Sequence, residues 1–170
     1  EHGLGTVLSS MAQNDRAREH LKHALELARS LGQRGLQGTI LSDLGTLEIR
    51  CDNLDRADAA LAEALIIQQE RGDEVRQCSV LGNQATASNG RGERRRAAAQ
   101  IEAAIALAKR VEHRRTEGVL YGNLGLLEMA EGRLEEAWML MRKGLHIHEE
   151  TGDRMMHEMT LSNLALVEHH

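Results

Sequence analysis

Aromatic residues and proline are almost missing from this sequence. Its 170 residues include one Trp, one Tyr, no Phe and no Pro. A hydrophobic core without aromatic rings must be filled by Leu, Ala, Ile, Val and Met, which suits closely packed helices better than a thick sheet sandwich. Without proline, no internal helix is broken by a ring that lacks an N–H. These absences favour an all-α fold.

Cysteine is scarce as well, and the motifs of catalytic and metal sites are missing. Cys51 and Cys78 are too few for a disulfide framework, and no Cys-x-x-Cys or His-Glu-x-x-His pattern accompanies the nine histidines. The sequence also has no nucleophile elbow, P-loop or kinase motif. We therefore expect no catalytic residues, no metal site and no cofactor, and interpret the chain as a protein that is not an enzyme.

Long apolar runs and an excess of positive charge are the remaining absences. Lys and Arg number 21 against 26 Asp and Glu, a net charge of −5, which argues against non-specific nucleic-acid binding. No apolar stretch approaches the ~20 residues of a membrane span, and no signal peptide is recognised. With reduced cysteines, this favours a cytoplasmic protein without nucleic-acid or membrane partners. Because the chain begins at Glu1 and ends in His169-His170, we expect a fragment of a longer protein, with native or vector-derived histidines at its end.

What the sequence does contain is a repeat. Leu-Gly-Thr at positions 4–6 returns at 44–46 and, as Leu-Gly-Leu, at 124–126, which gives a period of 40 residues. Several independent series in one phase indicate stacked copies of one structural unit. Three such series keep the same step: Ala17, Ala57, Ala97 and Ala137; Leu21, Leu61, Ile101 and Met141; and Leu25, Leu65, Ile105 and Leu145.

Each repeat has room for two helices. The second repeat predicts a first helix over about residues 36–50, with apolar residues at helical spacing, and a second helix over about 55–71. A turn at Asp52 separates them, Asp55 is the predicted N-cap of the second helix, and Gly72 its C-terminal stop. No segment shows the sustained alternation of a strand, so no sheet is expected.

Small residues at fixed repeat positions predict close contact between helices. Gly45 and Gly125 on first helices, and Ala57 and Ala137 on second helices, leave room for the neighbouring helix. A bulky side chain there would overpack the hairpin, at a cost of about 1–3 kcal/mol. Packing explains these positions, and we assign them no binding role.

The segment from Tyr121 to Ala137 carries a family resemblance. It reads Tyr-Gly-Asn-Leu-Gly-Leu-Leu-Glu-Met-Ala-Glu-Gly-Arg-Leu-Glu-Glu-Ala, which resembles the first helix, turn and second-helix start of the tetratricopeptide repeat (TPR) family. The period exceeds the usual ~34 residues, as in the long TPRs of bacterial signalling proteins and spindle-orientation adaptors. The resemblance implies a right-handed superhelical solenoid of antiparallel helix hairpins, with about nine helices. A single array would then consist of repeats at about 4–43, 44–83, 84–123 and 124–163, followed by an orphan first helix to residue 170.

The resemblance also implies where a ligand would bind, because the first helices of TPR proteins line a concave groove. Beside the core stripe of each first helix runs a second stripe, whose members share one helix face. This stripe is polar in the N-terminal half of the chain and more apolar in the C-terminal half, where Met129 and Met159 accompany it. The predicted peptide-binding groove is lined by Thr39, Asp43, Thr46, Arg50, Ser79, Asn83, Thr86, Val119, Asn123, Leu126 and Asn163.

One column of this stripe is rich in asparagine. Asp43, Asn83, Asn123 and Asn163 follow one another at the repeat period. In peptide-binding TPRs an Asn at this position often hydrogen-bonds the backbone of an extended ligand, and a carboxamide offers a donor and an acceptor, as a peptide unit does. The alternative is that these side chains are solvated or bond to a neighbouring helix. For the apolar members of the stripe, the alternative is a place in the core.

These features predict a protein–protein interaction scaffold that binds a peptide or helical segment in its groove. The alternative is a regulatory or sensor module of a larger bacterial kinase or transcription regulator. A further expectation concerns the last helix, which has no second helix after it in this sequence. Its Leu161, Leu164 and Val167 would leave an apolar edge, so we expect end-to-end self-association as a homo-oligomer.

Overall fold

The computed structural model describes the backbone of residues 2–168 and the side chains of residues 13–165. Within the described backbone every regular element is an α-helix, which confirms the predicted all-α class. There are eight helices in that range, so the expectation of about nine is wrong. They are α1 (His2–Ser30), α2 (Arg34–Arg50), α3 (Leu54–Glu70), α4 (Glu74–Gly90), α5 (Arg94–Arg110), α6 (Arg114–Ala130), α7 (Leu134–Thr151) and α8 (Arg154–Glu168).

The missing helix is explained by the first repeat, whose two expected helices form one. Later hairpins turn at Asp52, Gly92 and Gly132, all of which have positive φ angles. The same repeat position in α1 is Ala12, the residue with the highest helix propensity and one that disfavours the left-handed region. The chain therefore continues as a single helix of 29 residues.

The helix ends follow the predicted turn chemistry with one exception. Gly72 ends α3 in the left-handed conformation, with φ of 64°, as predicted. Asp55 is not the N-cap of α3, because that helix begins at Leu54 and is preceded by Asn53, whose side chain makes no capping bond. Asp55 lies instead in the first turn, where its charge complements the helix dipole.

The helices form two compact units, one up to Gly72 and one from Asp73 onward. In the first unit, α2 packs against α1 and α3; in the second, α4 to α8 pack in chain order. Turns of two or three residues join consecutive helices, and such short connections make the helices within each unit antiparallel hairpins. The third repeat, in which Gln84 replaces a Leu of the repeat pattern, still has a first helix of 17 residues, α4.

The predicted close contacts between helices are confirmed. A Cβ placed on Gly45 would lie 2.5 Å from Cγ of Leu61, and one on Gly125 would lie 2.6 Å from Cγ of Met141. Ala57 and Ala137 are fully buried. These positions must stay small because the facing helix already occupies the space beside them.

The α6–α7 hairpin also buries a histidine without a hydrogen-bond partner. The His148 ring is 1% exposed, and neither ring nitrogen has a partner among the described residues. Gly118 on α6 makes room for it, since a Cβ there would lie 2.8 Å from the ring carbon Cε1. Burial lowers the pKa of His148; the charge of Asp153 opposes this shift, while those of His157 and Arg115 add to it. The ring is therefore neutral at neutral pH.

We predict that this histidine makes the protein less stable in mildly acidic solution. Once unfolded, His148 takes up a proton near its ordinary pKa of 6.5, whereas the buried ring does not. The free energy of unfolding therefore keeps its full value at pH values above 6.5. At lower pH it decreases by up to about 1.4 kcal/mol per pH unit, until the folded ring also protonates. Urea unfolding at about pH 7.5 and about pH 5.5 should show the loss.

The control is His148→Gln, which copies Gln68, a residue at the same repeat position that is also 1% exposed. The other eight histidines remain in this variant, so they contribute equally to both proteins. The free energy of unfolding of the variant, relative to that of the wild type, should increase as the pH falls. A difference that stays constant with pH would contradict the prediction.

Candidate functional site

In the second unit, four of the predicted groove residues line one cleft between α4 and α6. Ser79 and Asn83 come from α4, and Val119 and Asn123 from α6. The cleft has a volume of about 270 Å³. Its other lining residues, which were not among the predicted groove residues, are Cys78, Gly82, Arg115, Thr116 and Leu120.

A second, smaller cavity adjoins the first through a shared residue. Asn123 lines both, and the second cavity also contains Thr86 and Leu126 from the predicted groove. Its volume is about 140 Å³. Residues three and four apart lie on one face of a helix, and this spacing brings all six predicted residues of α4 and α6 to the two adjoining cavities. We call these cavities together the α4–α6 cleft.

The α4–α6 cleft offers polar groups above an apolar floor. The carboxamides of Asn83 and Asn123 contribute donors and acceptors, while Leu120 is 2% exposed. Arg115 adds a positive charge; its side chain is 65% exposed and its Nε lies 2.7 Å from a carboxylate oxygen of Asp153. The cleft can therefore contact main-chain amides, an apolar side chain and a negative group.

Two of the lining residues that were not predicted, Cys78 and Gly82, lie on α4 next to predicted ones. Each precedes a predicted residue by one position, because a cleft between two helices is lined by the predicted stripe and by the stripe beside it. Cys78 is fully buried, its thiol donates to the Glu74 carbonyl at 3.1 Å, and burial raises its pKa. A protonated, buried thiol acts as a packing group and not as a nucleophile.

In the first unit, the predicted residues lie along one face of α2. Thr39 is half-buried, whereas Asp43, Thr46 and Arg50 are exposed. The hydroxyls of Thr39 and Thr46 donate to carbonyls one helical turn earlier, at 3.2 and 3.0 Å. Arg50 lines a separate cavity of about 570 Å³ near the α2–α3 turn.

The remaining predicted residues lie toward the last helix. Asn163 is half-buried on α8 and Met159 is 53% exposed. Leu126 and Met129 pack against the core cluster around Met141, so part of the predicted apolar end belongs to the core.

The expected apolar edge of α8 is also only partly present. Leu161 is 49% exposed, but Leu164 is 4% exposed and joins the core cluster with Met141. The expectation was wrong for Leu164 because this residue packs on α7. The side chain of Val167 lies outside the described residues.

Two other features, a metal centre and a membrane-spanning helix, are absent from the described residues. No group of three His, Cys, Asp or Glu side chains there is arranged to hold a metal ion. None of the helices in the same residues combines the length and apolar character that crossing a membrane requires.

Comparison with known proteins identifies the fold. The family model described as tetratricopeptide repeat matches residues 2–32, and a search of curated proteins gave no match. The crystal structure of BtubC (BKLC) from P. vanneervenii is similar, with a TM-score of 0.79 and 18% sequence identity. The match covers 92% of this chain and 66% of BtubC, just under two thirds of its length.

A second similar fold consists of nearly identical TPR-like repeats, in a putative kinesin light chain of Podosopora anserina. Its TM-score is 0.65 at 13% identity, over 98% of this chain and 92% of that chain. A crystal structure of a point variant of the same protein gives a TM-score of 0.66 at 14% identity. Residues 2–32 thus match the tetratricopeptide repeat family, and the chain as a whole has the all-helical fold of TPR-like repeat proteins.

Proposed function

We propose that the protein is an interaction scaffold that binds an extended peptide of a partner protein in the α4–α6 cleft. The observation that carries this proposal is the meeting of Asn83 and Asn123 at one cavity. A TPR-like fold is typical of proteins that bind other proteins, but the fold alone does not indicate where a partner binds. The polar lining of this cleft supports binding at this place.

The division of the cleft favours an extended chain over a single bulky ligand. Its two cavities have volumes of about 270 and 140 Å³ and share Asn123, and each is smaller than the roughly 300–1,000 Å³ of pockets for drug-sized molecules. One or two side chains of a peptide fit such a space while the peptide backbone runs above it. The two asparagines would hydrogen-bond that backbone, and Arg115 would favour an acidic residue beside it.

The test is a comparison of peptide binding by the wild type and by Asn83→Ala/Asn123→Ala. Peptides that bind the wild type are first selected from an array of short sequences, and their affinities are then measured by calorimetry. We expect the double variant to bind about 5-fold to 150-fold more weakly, because each of the two lost hydrogen bonds contributes about 0.5–1.5 kcal/mol.

The matched control is Gln69→Ala, which removes an exposed carboxamide from α3. This variant should bind the selected peptides as the wild type does. Circular dichroism must show that both variants are folded. Equal binding by a folded double variant, or an array without any wild-type binder, would contradict the proposal.

A further inference from the structure

A second surface of the second unit is built around the only tryptophan of the chain. Trp138 lies near the start of α7, and with Leu134, Glu135 and Met139 it lines an open cavity of about 390 Å³. We call these four residues the Trp138 patch. None of them lines the α4–α6 cleft, so the patch is a separate feature.

The patch exposes large apolar side chains. Trp138 is 39% exposed and Met139 is 52% exposed. Leu134 is partly buried and packs against the core cluster around Met141, so the apolar floor of the patch continues into the core. Exposed tryptophan next to exposed methionine is typical of surfaces that contact other proteins.

The hairpin itself does not require these side chains. The positions that correspond to Trp138 and Met139 hold Asp58 and Ala59 in α3, and Ala98 and Ala99 in α5. Both of those helices have the same start, relative to the repeat, as α7. Small or polar residues therefore suffice for the fold, and the large apolar pair is particular to α7.

The negative charge beside the patch indicates that its partner carries a positive charge. Glu135 is exposed, lines the cavity, and has no ion pair among the described residues. Glu136 adds a second carboxylate in the same turn, where α5 carries Arg95 and Arg96. An acidic border beside an apolar cavity is complementary to a ligand that combines an apolar side chain with a cation.

The tryptophan ring contacts a cation of its own helix. The guanidinium of Arg142 lies over the ring, 5.2 Å from the ring centroid, a distance at which the two groups attract each other. This contact orients the ring, and Glu135 remains as the acidic group that lines the cavity. The cavity lining itself includes no cation, so a partner side chain that enters it would meet an apolar surface with a carboxylate beside it.

From these observations we infer that the Trp138 patch docks a cationic amphipathic helix of another protein. One apolar side chain of that helix would enter the cavity between Leu134, Trp138 and Met139. A Lys or Arg one turn away would pair with Glu135, at the spacing of residues that share a helix face. This inference does not depend on peptide binding in the α4–α6 cleft.

Because Trp138 is the only tryptophan, its fluorescence reports directly on the patch. The probes are a synthetic amphipathic helix of Leu and Lys and a matched peptide with Glu in place of Lys. The Leu–Lys peptide should shift the emission to shorter wavelength in a saturable manner, because it excludes water from the ring. Added salt should weaken this binding, and the Leu–Glu peptide should cause no shift.

Variants separate local recognition from general attraction to a protein of negative net charge. Glu135→Gln should weaken binding of the Leu–Lys peptide about twofold to fivefold, as expected for an exposed ion pair, and Met139→Ala about tenfold. The matched control is Glu102→Gln, which removes an exposed carboxylate from α5 and should leave binding unchanged.

Three results would overturn the inference. Equal losses in Glu135→Gln and Glu102→Gln would mean attraction to the overall charge. Equal binding of the Lys and Glu peptides would mean an apolar contact without charge selection. A shift that depends on protein concentration without peptide, together with a dimer in sedimentation, would assign the patch to a second copy of the chain.

Discussion

Arg18→Ala should lower the free energy of unfolding by about 1–3 kcal/mol, because it leaves a carboxylate with little exposure without its charged hydrogen-bond donor. Arg18 on α1 and Glu48 on α2 have side chains that are only 11% and 6% exposed. Two hydrogen bonds join them, from Nε to Oε1 at 2.6 Å and from Nη2 to Oε2 at 3.2 Å. Asn53 donates a third bond to Glu48 at 2.8 Å. Truncation of Arg18 leaves Glu48 with that single neutral donor.

The ionised state of Glu48 depends on this partner. Burial alone would raise its pKa, but hydrogen bonds from Arg18 and Asn53, with the charges of Arg18 and Arg56, outweigh burial and lower it. A carboxyl with a lowered pKa stabilises the fold above its ordinary pKa of 4.5, and this contribution is lost as the pH falls through the folded value. In Arg18→Ala the free energy of unfolding should therefore decrease less steeply as the pH falls through the acid range.

Two control variants make the prediction specific. Arg18→Met/Glu48→Gln removes both charges and should recover most of the lost stability, because no buried charge remains. Asp15 is the second ion-pair partner of Arg18, and the side chain of Asp15 is 72% exposed. Asp15→Ala should therefore lower the free energy of unfolding by less than about 1 kcal/mol. Urea unfolding of the three variants is the measurement. If Arg18→Ala costs no more than Asp15→Ala, the pair is not buried as described.

This ion pair also shows why part of the structure could not be predicted from the sequence. The repeat phase and turns were predictable because most turns of one kind hold a glycine, the residue that most readily adopts a positive φ angle, as at Gly32, Gly72 and Gly152. The partner of Glu48 follows no such rule. The equivalent residue in α4 is Ser88, which donates to Gln100 instead. Polar contacts that differ between repeats leave no periodic signal.

The α4–α6 cleft was predictable only in part, for a similar reason. Helical spacing placed Asn83 and Asn123 on the faces that carry the stripe, and the structure brings them to one cavity. The contribution of Arg115 depends on the start of α6 and on the nearby Asp153, which periodicity does not reveal. In α2 the predicted residues share one face of the helix, and Arg50 at its end lines a cavity separate from the α4–α6 cleft.

Gly144→Ala should destabilise the protein by about 1–3 kcal/mol, although alanine is the better helix former. A Cβ on Gly144 would lie 2.8 Å from the backbone oxygen of Gly118 and 3.3 Å from the backbone nitrogen of Gly122. Backbone atoms cannot move aside as a flexible side chain can. The alanine would therefore push α7 away from α6 and loosen the packing along the hairpin. In α3 and α5 this repeat position holds Ala64 and Ala104, so the demand for glycine is particular to the α6–α7 hairpin.

The matched control is Gly122→Ala in the same hairpin. Its Cβ would have Thr160 Oγ1 as the nearest atom of a neighbouring group, at 3.8 Å, an ordinary contact. This variant should stabilise the protein by about 0.5–1 kcal/mol, the helix gain of alanine over glycine. Two Gly→Ala changes on facing helices thus have opposite expected signs in urea unfolding. Stabilisation by both would mean that α6 and α7 do not approach each other closely at Gly144, because only a close backbone approach makes alanine unfavourable there.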